Sequence, residues 1–206
     1  MTQQPQPARF YPIVPDATWV ARIAPLGIGT VQLRLKDASE TDVRQQIASS
    51  LDACREHGVE LIVNDYWQAA IALGANWLHL GQEDLATADL AAIRRAGIKL
   101  GLSTHDEAEL ETALAADPDY IALGPVYPTI LKAMKWAPQG LDRIGQWKRR
   151  IGAIPLVAIG GLTVERAAGA FSAGADSLAV VTDFLAHRNP EARIAEWLAV
   201  TTGDSR

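Results

Sequence analysis

The feature that most constrains this chain is a regular alternation that runs its whole length. Short apolar, β-branched runs recur as "RFYPIVP", "TVQLRL", "ELIVND", "WLHLG", "KLGLST", "YIALGPV", "IPLVAIGG" and "SLAVVT". Between them lie segments of helical spacing or composition, among them "ETDVRQQIASSLDACREHG", "TADLAAIRRAG", "DEAELETALAA", "TVERAAGAFSAG" and "PEARIAEWLAV". Boundary signals punctuate the helices. Ser39 or Thr41 precedes the second, Thr87 the fourth and Thr163 the seventh, and Gly58, Gly97 and Gly174 stand just beyond helix ends. Eight such units in 206 residues predict an α/β protein folded as a single-domain (β/α)8 TIM barrel. An open doubly wound sheet is the alternative. Eight comparable units fill the chain, and no G-x-G-x-x-G turn follows the first strand, so the barrel is preferred.

A chain of this length that is 49% hydrophobic builds one large core, expected over residues 9–202, behind a polar, disordered tail at 1–8. The tail has no apolar stretch of the kind a signal peptide carries. The longest apolar run, "IPLVAIGGL", is far short of the roughly 20 residues a membrane helix needs. Cys54 is the only cysteine, which excludes an intramolecular disulfide and a cysteine metal cluster and fits a reduced, cytoplasmic setting. A net charge of −5 offers no general basic surface for nucleic acid, so any anion must be held by a local arrangement of groups. The expected partners are therefore small phosphorylated molecules, without nucleic acid or membrane. Homo-oligomers are left open.

In a barrel of this kind the chemistry belongs at the C-terminal ends of the strands. Along "TVQLRLKD", alternation puts Val31, Leu33 and Leu35 on one face and Gln32, Arg34 and Lys36 on the other. Three long polar groups in a row toward the rim either pair with acids inside the barrel or meet an anionic ligand, and Arg34 can grip phosphate through two N–H groups at once. The third strand ends in Asn64-Asp65, and the fourth is followed by Glu83 and Asp84. Asp65 and an acid of the next loop converge as a Mg2+ pair, or Asp84 merely caps a turn; the residues alone leave both open. The fifth strand ends in Ser103, Thr104 and His105, the hydroxyls suiting ligand or cap equally. His79 reads as a barrel histidine with its hydrogen bonds satisfied. Gly160 and Gly161 end the seventh strand and let backbone approach a ligand, and Val181-Thr182 end the eighth. Barrels often hold a phosphate between these last two loops.

Taken in order, "VQLRLKD", "VNDYW", "HLGQEDL", "GLSTH", "YIALGPVYPT", "AIGGL" and "GADSLAVVT" closely resemble the motifs of the thiamine-phosphate synthase family. The resemblance implies condensation of 4-amino-2-methyl-5-hydroxymethylpyrimidine diphosphate with 4-methyl-5-(2-phosphoethyl)thiazole to thiamine phosphate and pyrophosphate. It implies that Gln32, Arg34, Leu35 and Lys36 meet the pyrimidine diphosphate, with Asn64, Ser103 and Lys132 beside it. Asp65 and Asp84 are implied to hold one Mg2+ per subunit. Thr129, Leu131, Gly161, Val181 and Thr182 fall where the family binds the thiazole phosphate. Arg34, Lys132 and Ser103 are the residues expected to act on the reacting groups.

Two departures stand out. The family's usual Glu between Arg and Lys is Leu35 here, which alternation turns away from the Arg34 and Lys36 face. The family's P-T-x-T-K is Pro128-Thr129-Ile130-Leu131-Lys132, so one hydroxyl is missing, worth on the order of 1 kcal/mol in ligand binding. The stretch around it, "GPVYPTILKAMKWAPQG", is long and apolar for a strand-to-helix connection and reads as a lid. Two other functions compete with the synthase: a related thiazole tautomerase, in which His105 would move the proton, and a phosphate-ligand-binding barrel without turnover.

Overall fold

The computed structural model describes residues 6–129 and 136–202. The chain forms strand β1 (Phe10–Val14), helix α1 (Ala17–Ile23) with a 3-10 turn (Ala24–Leu26), β2 (Thr30–Leu33), α2 (Glu40–His57), β3 (Glu60–Asn64), α3 (Trp67–Leu73) and β4 (Trp77–Leu80). It continues through α4 (Gln82–Leu85), α5 (Leu90–Arg95), β5 (Lys99–Thr104), α6 (Glu107–Ala115), β6 (Tyr120–Leu123), α7 (Gly140–Ile151), β7 (Leu156–Ile159), α8 (Val164–Ser172), β8 (Ser177–Val180), α9 (Thr182–Leu185) and α10 (Pro190–Thr202). The strands close in sequence order, each parallel to its neighbours, with β8 returning to β1 through Tyr11 opposite Ala179. The (β/α)8 expectation holds.

Local chemistry explains most of the boundaries. Ser39 caps α2 by accepting from the Asp42 amide at 3.2 Å, and Gly58 ends that helix at φ 67°, where a side chain would strain the backbone. Asp16 and Asp106 cap α1 and α6 in the same way, each at 2.9 Å. At α5 the cap is Asp89, bonded to the Ala92 amide at 2.9 Å, and the Thr87 expectation is corrected. Thr87 donates instead to the Asp84 carbonyl at the end of α4. Thr163 stands at the N-cap of α8, but its side chain is engaged with Glu165 and makes no capping bond.

Strand alternation divides the core in two. Val31, Leu33 and Leu35 pack outward with Leu78, Leu102, Ile121 and Leu178 under the helices. Inside the ring lie Tyr11, Ile13, Ile62, Trp77, Tyr120, Ala122, Val157 and Ala179. Tyr120 reaches across the barrel because β5 offers Gly101 opposite it. A Cβ at that position would fall within 2.5 Å of the ring's Cε2. The ring is thereby laid against His79, with centroids 5.6 Å apart and planes at 17°. Ala8 is fastened to this ring of strands as well, its amide donating to Thr30 Oγ1 at 2.9 Å and its carbonyl accepting from Ser177 Oγ at 2.5 Å.

Candidate active site

The C-terminal rim is built from the residues that follow each strand. After β2, Arg34 keeps its backbone in register by donating to the Val14 carbonyl at 2.9 Å. Its half-buried side chain forms no ion pair with any described residue. Lys36 is exposed just before Asp37, whose φ of 51° turns the chain toward α2. Gln32 is buried one pleat below. Leu35 is buried in the outer core, so contact between it and a ligand at the mouth falls to its backbone.

After β3 the buried Asn64 donates to the Asp65 carboxylate, and Asp65 takes φ 68° while its amide bonds the His79 carbonyl at 2.9 Å. This turn points the Asp65 carboxylate at Asp84, presented by the short helix α4, and the two are joined by a hydrogen bond. Burial raises the Asp65 pKa from 3.8 to about 6, with the Asp84 charge and hydrogen bond adding to it; Arg34 and Asn64 pull the other way. Two carboxylates in contact need a proton or a cation between them, and Arg34 alone does not offset the repulsion. No third acid, histidine or cysteine joins them among the described residues. A donor set of two carboxylates with open positions suits Mg2+, which keeps waters and takes phosphate oxygens.

Ser103, at the end of β5, is half-buried. Its carbonyl accepts from Gln82 Nε2 at 2.7 Å and its Oγ contacts His79 Nε2 at 2.8 Å. Gln82 is a rim residue that sequence reading missed. The "GQEDL" segment is too short to show a helical period, and only its closeness to the Asp84 motif marks it. Burial lowers the His79 pKa to about 4, with Arg34 contributing, so its imidazole is neutral. His105 stands apart from this group. Its Nδ1 is bonded to Glu109 at 2.7 Å, and its ring is stacked on Trp136 at 4.1 Å and 15°.

On the opposite side of the mouth, the connection after β6 is fastened to β7. Val126 N donates to Ile159 O at 2.9 Å and Tyr127 N to Gly160 O at 3.0 Å. Gly160 and Gly161 take φ 98° and 63°. A Cβ on Gly160 would come within 2.6 Å of Pro125 Cα, and one on Gly161 within 2.8 Å of Tyr127 Cβ. Their small size is thus spent on this loop. Thr129 is half-buried beyond it; the expectations for Ile130, Leu131 and Lys132 lie outside the described residues. The far end of the connection returns through Gln139, whose side chain donates to the His105 carbonyl at 2.6 Å. Val181 and Thr182 begin α9 beside the Gly160-Gly161 corner. Asp183 anchors that short helix by accepting from Arg193 at 2.8 and 3.0 Å and from Trp197 Nε1 at 2.8 Å.

The rim therefore gathers Gln32, Arg34, Asn64, Asp65, Asp84 and Ser103 over β2 to β5, and Gly161, Val181 and Thr182 over β7 and β8. A family model described as thiamine monophosphate synthase matches residues 10–184. Thiamine-phosphate synthase from Rhizobium etli is 61% identical over 192 residues, covering 93% of this chain and 94% of that protein. The enzyme of the same name from Neisseria meningitidis serogroup A is 45% identical over 197 residues, 96% of each chain. A solved thiamine phosphate pyrophosphorylase from Pyrococcus furiosus superposes with a TM-score of 0.83 at 24% identity, over 94% of this chain and 95% of that one, which bears on the fold. With the family model spanning most of the chain and near-complete coverage by these relatives, the chain belongs to the thiamine monophosphate synthase family.

Proposed function

We propose that the chain, a thiamine-phosphate synthase, works through the rim as two half-sites. The strand-end groups of β2 to β5 take the pyrimidine diphosphate, and the corner between β7 and α9 takes the phosphate of the thiazole. The observation that carries this reading is the Asp65–Asp84 pair set near the guanidinium of Arg34, which has no ion pair among the described residues, because an anionic ligand and its cation make use of both.

Arg34 and Lys36 bind the diphosphate oxygens, and Arg34 takes up the charge that accumulates as the C–O bond at the pyrimidine methylene breaks. Asn64 orients Asp65, which with Asp84 would hold Mg2+. Bound there, the ion would supply positive charge against the departing pyrophosphate. Ser103 lies beside the methylene, and Lys132 is assigned to the diphosphate from the family motif. The thiazole nitrogen attacks with its own lone pair, so no protein base is needed to activate it, and the protein's part is positioning and charge stabilisation. Thr129, Gly161, Val181 and Thr182 hold the thiazole phosphate. His105 is given no role, since Glu109 and Trp136 already engage it; this also weighs against a tautomerase.

A cytoplasmic setting is proposed from the charge of both substrates, which does not cross membranes unaided, and from the lone buried Cys54. No helix of the described residues is long and apolar enough to cross a membrane. The test is incubation of the purified protein with both substrates, with and without Mg2+. Mg2+-dependent release of thiamine phosphate and pyrophosphate in equal amounts is expected. Tight binding without product would favour a ligand-binding barrel, and conversion of a thiazole carboxylate tautomer alone would favour the isomerase.

A further inference from the structure

A continuous string of polar side chains crosses the interior of the barrel, from Gln32, buried one pleat below the rim, to the half-buried Ser103 on it. Gln32 Nε2 lies 2.5 Å from Tyr11 Oη. Tyr11 Oη lies 2.9 Å from Tyr120 Oη, which lies 2.8 Å from His79 Nδ1. His79 Nε2 in turn lies 2.8 Å from Ser103 Oγ. The members come from β1, β2, β4, β5 and β6, and Tyr11, Tyr120, Gln32 and His79 are all buried.

We infer that Tyr11, Tyr120 and His79 are positioning residues whose hydrogen bonds all run in one direction, fixing which end of the string donates and which accepts at the barrel mouth. Proton counting sets the direction. The Gln32 amide nitrogen donates to Tyr11, so the Tyr11 hydroxyl has its single proton left to give, and the partner in reach is Tyr120. Tyr120 then spends its own proton on His79 Nδ1. If His79 Nδ1 carried a proton and gave it to Tyr120, one of the two tyrosine hydroxyl protons would be buried without an acceptor, a costly arrangement. With Nδ1 accepting, the imidazole holds its proton on Nε2 and donates it to Ser103 Oγ.

Ser103 is left with its hydroxyl proton for a ligand, and Gln32 with its amide oxygen as an acceptor. The barrel interior thus presents one donor and one acceptor in fixed sense, and suits a substrate that accepts at Ser103 and donates at Gln32. The inference rests on the reading above in one respect only, that Gln32 and Ser103 face the pyrimidine diphosphate.

Two measurements test it. In the wild-type protein at pH 7, 15N NMR of the histidines, with the His79 signals identified by their loss in His79→Gln, should show a pyrrole-like Nε2 and a pyridine-like Nδ1. In Tyr120→Phe, which keeps the ring beside Gly101 but removes the middle hydroxyl, that tautomer preference should be lost. The KM for the pyrimidine diphosphate should rise about tenfold while the KM for the thiazole phosphate stays the same. Tyr11→Phe should repeat the kinetic pattern and serves if Tyr120→Phe does not fold. A protonated Nδ1 in the wild type, or hydroxyl-deleted variants with an unchanged KM for the pyrimidine diphosphate, would overturn the inference. Absence of thiamine phosphate from the wild-type reaction would count against the activity alone, because the tautomer is read without substrate.

Discussion

The carboxylates of Asp65 and Asp84 lie in hydrogen-bond contact, and the proton that permits this has a thermodynamic consequence. In the folded protein Asp65 titrates near 6, above the 3.8 of an ordinary carboxyl, so folding holds its proton more tightly. That contribution is complete below about pH 4 and is lost as pH rises through about 6. Asp65→Asn should therefore melt at progressively higher temperature than wild type as pH goes from 4 to 7 in the presence of a chelator. The same variant should lose most of its Mg2+ dependence and at least about tenfold in turnover. Melting curves that stay parallel across that range would remove the proton held at Asp65, and kinetics unchanged over a Mg2+ titration would remove the metal assignment. At Gly101 the expected effect is steric. Gly101→Ala drives a methyl into the Tyr120 ring, which at roughly 1–3 kcal/mol for overpacking should lower the melting temperature by about 3–10 °C. A drop of less than about 1 °C would show that the ring can move aside.

Short helices carry two of the expected site residues, and these elements are the least visible in the sequence. Helices α4 and α9 are four residues each, too short to show a 3.6-residue period, yet they present Asp84 and Thr182. The long helices were legible because their apolar stripes and glycine stops agree. At the six-residue α5 the cap is Asp89, two positions after the expected Thr87, and the helix it starts carries Ile93 into the core. The anchoring of α9 gives a prediction at this scale. Asp183→Ala removes the acceptor shared by Arg193 and Trp197, at a cost of roughly 1.5–3 kcal/mol in stability. It should raise the KM for the thiazole phosphate several-fold and leave that for the pyrimidine diphosphate alone. Equal effects on both substrates would mean that α9 does not serve the phosphate.

For the molecule as a whole, the barrel could be read from sequence because every unit repeats the same pattern, and strand alternation correctly put Gln32 inside the barrel and Leu35 outside it. Alternation does not say which inward side chains from distant strands will touch. Tyr11 and Tyr120 are 109 positions apart and meet only once the ring has closed, so the polar string through the barrel could not be anticipated. The proposed half-sites lie on one closed barrel, so ligand binding should be visible in the global melt. Mg2+ with pyrophosphate at about a hundredfold over their dissociation constant should add about 2.7 kcal/mol, a rise of roughly 5–10 °C, and neither alone should match it. Equal shifts from pyrophosphate alone would contradict a shared site. The fit of Gly160 and Gly161 against Pro125 and Tyr127 has a consequence for recombination with relatives. A breakpoint placed between residues 129 and 158 would bring together two loops selected against different neighbours, whereas breakpoints before 124 or after 161 inherit the interlocked pair intact.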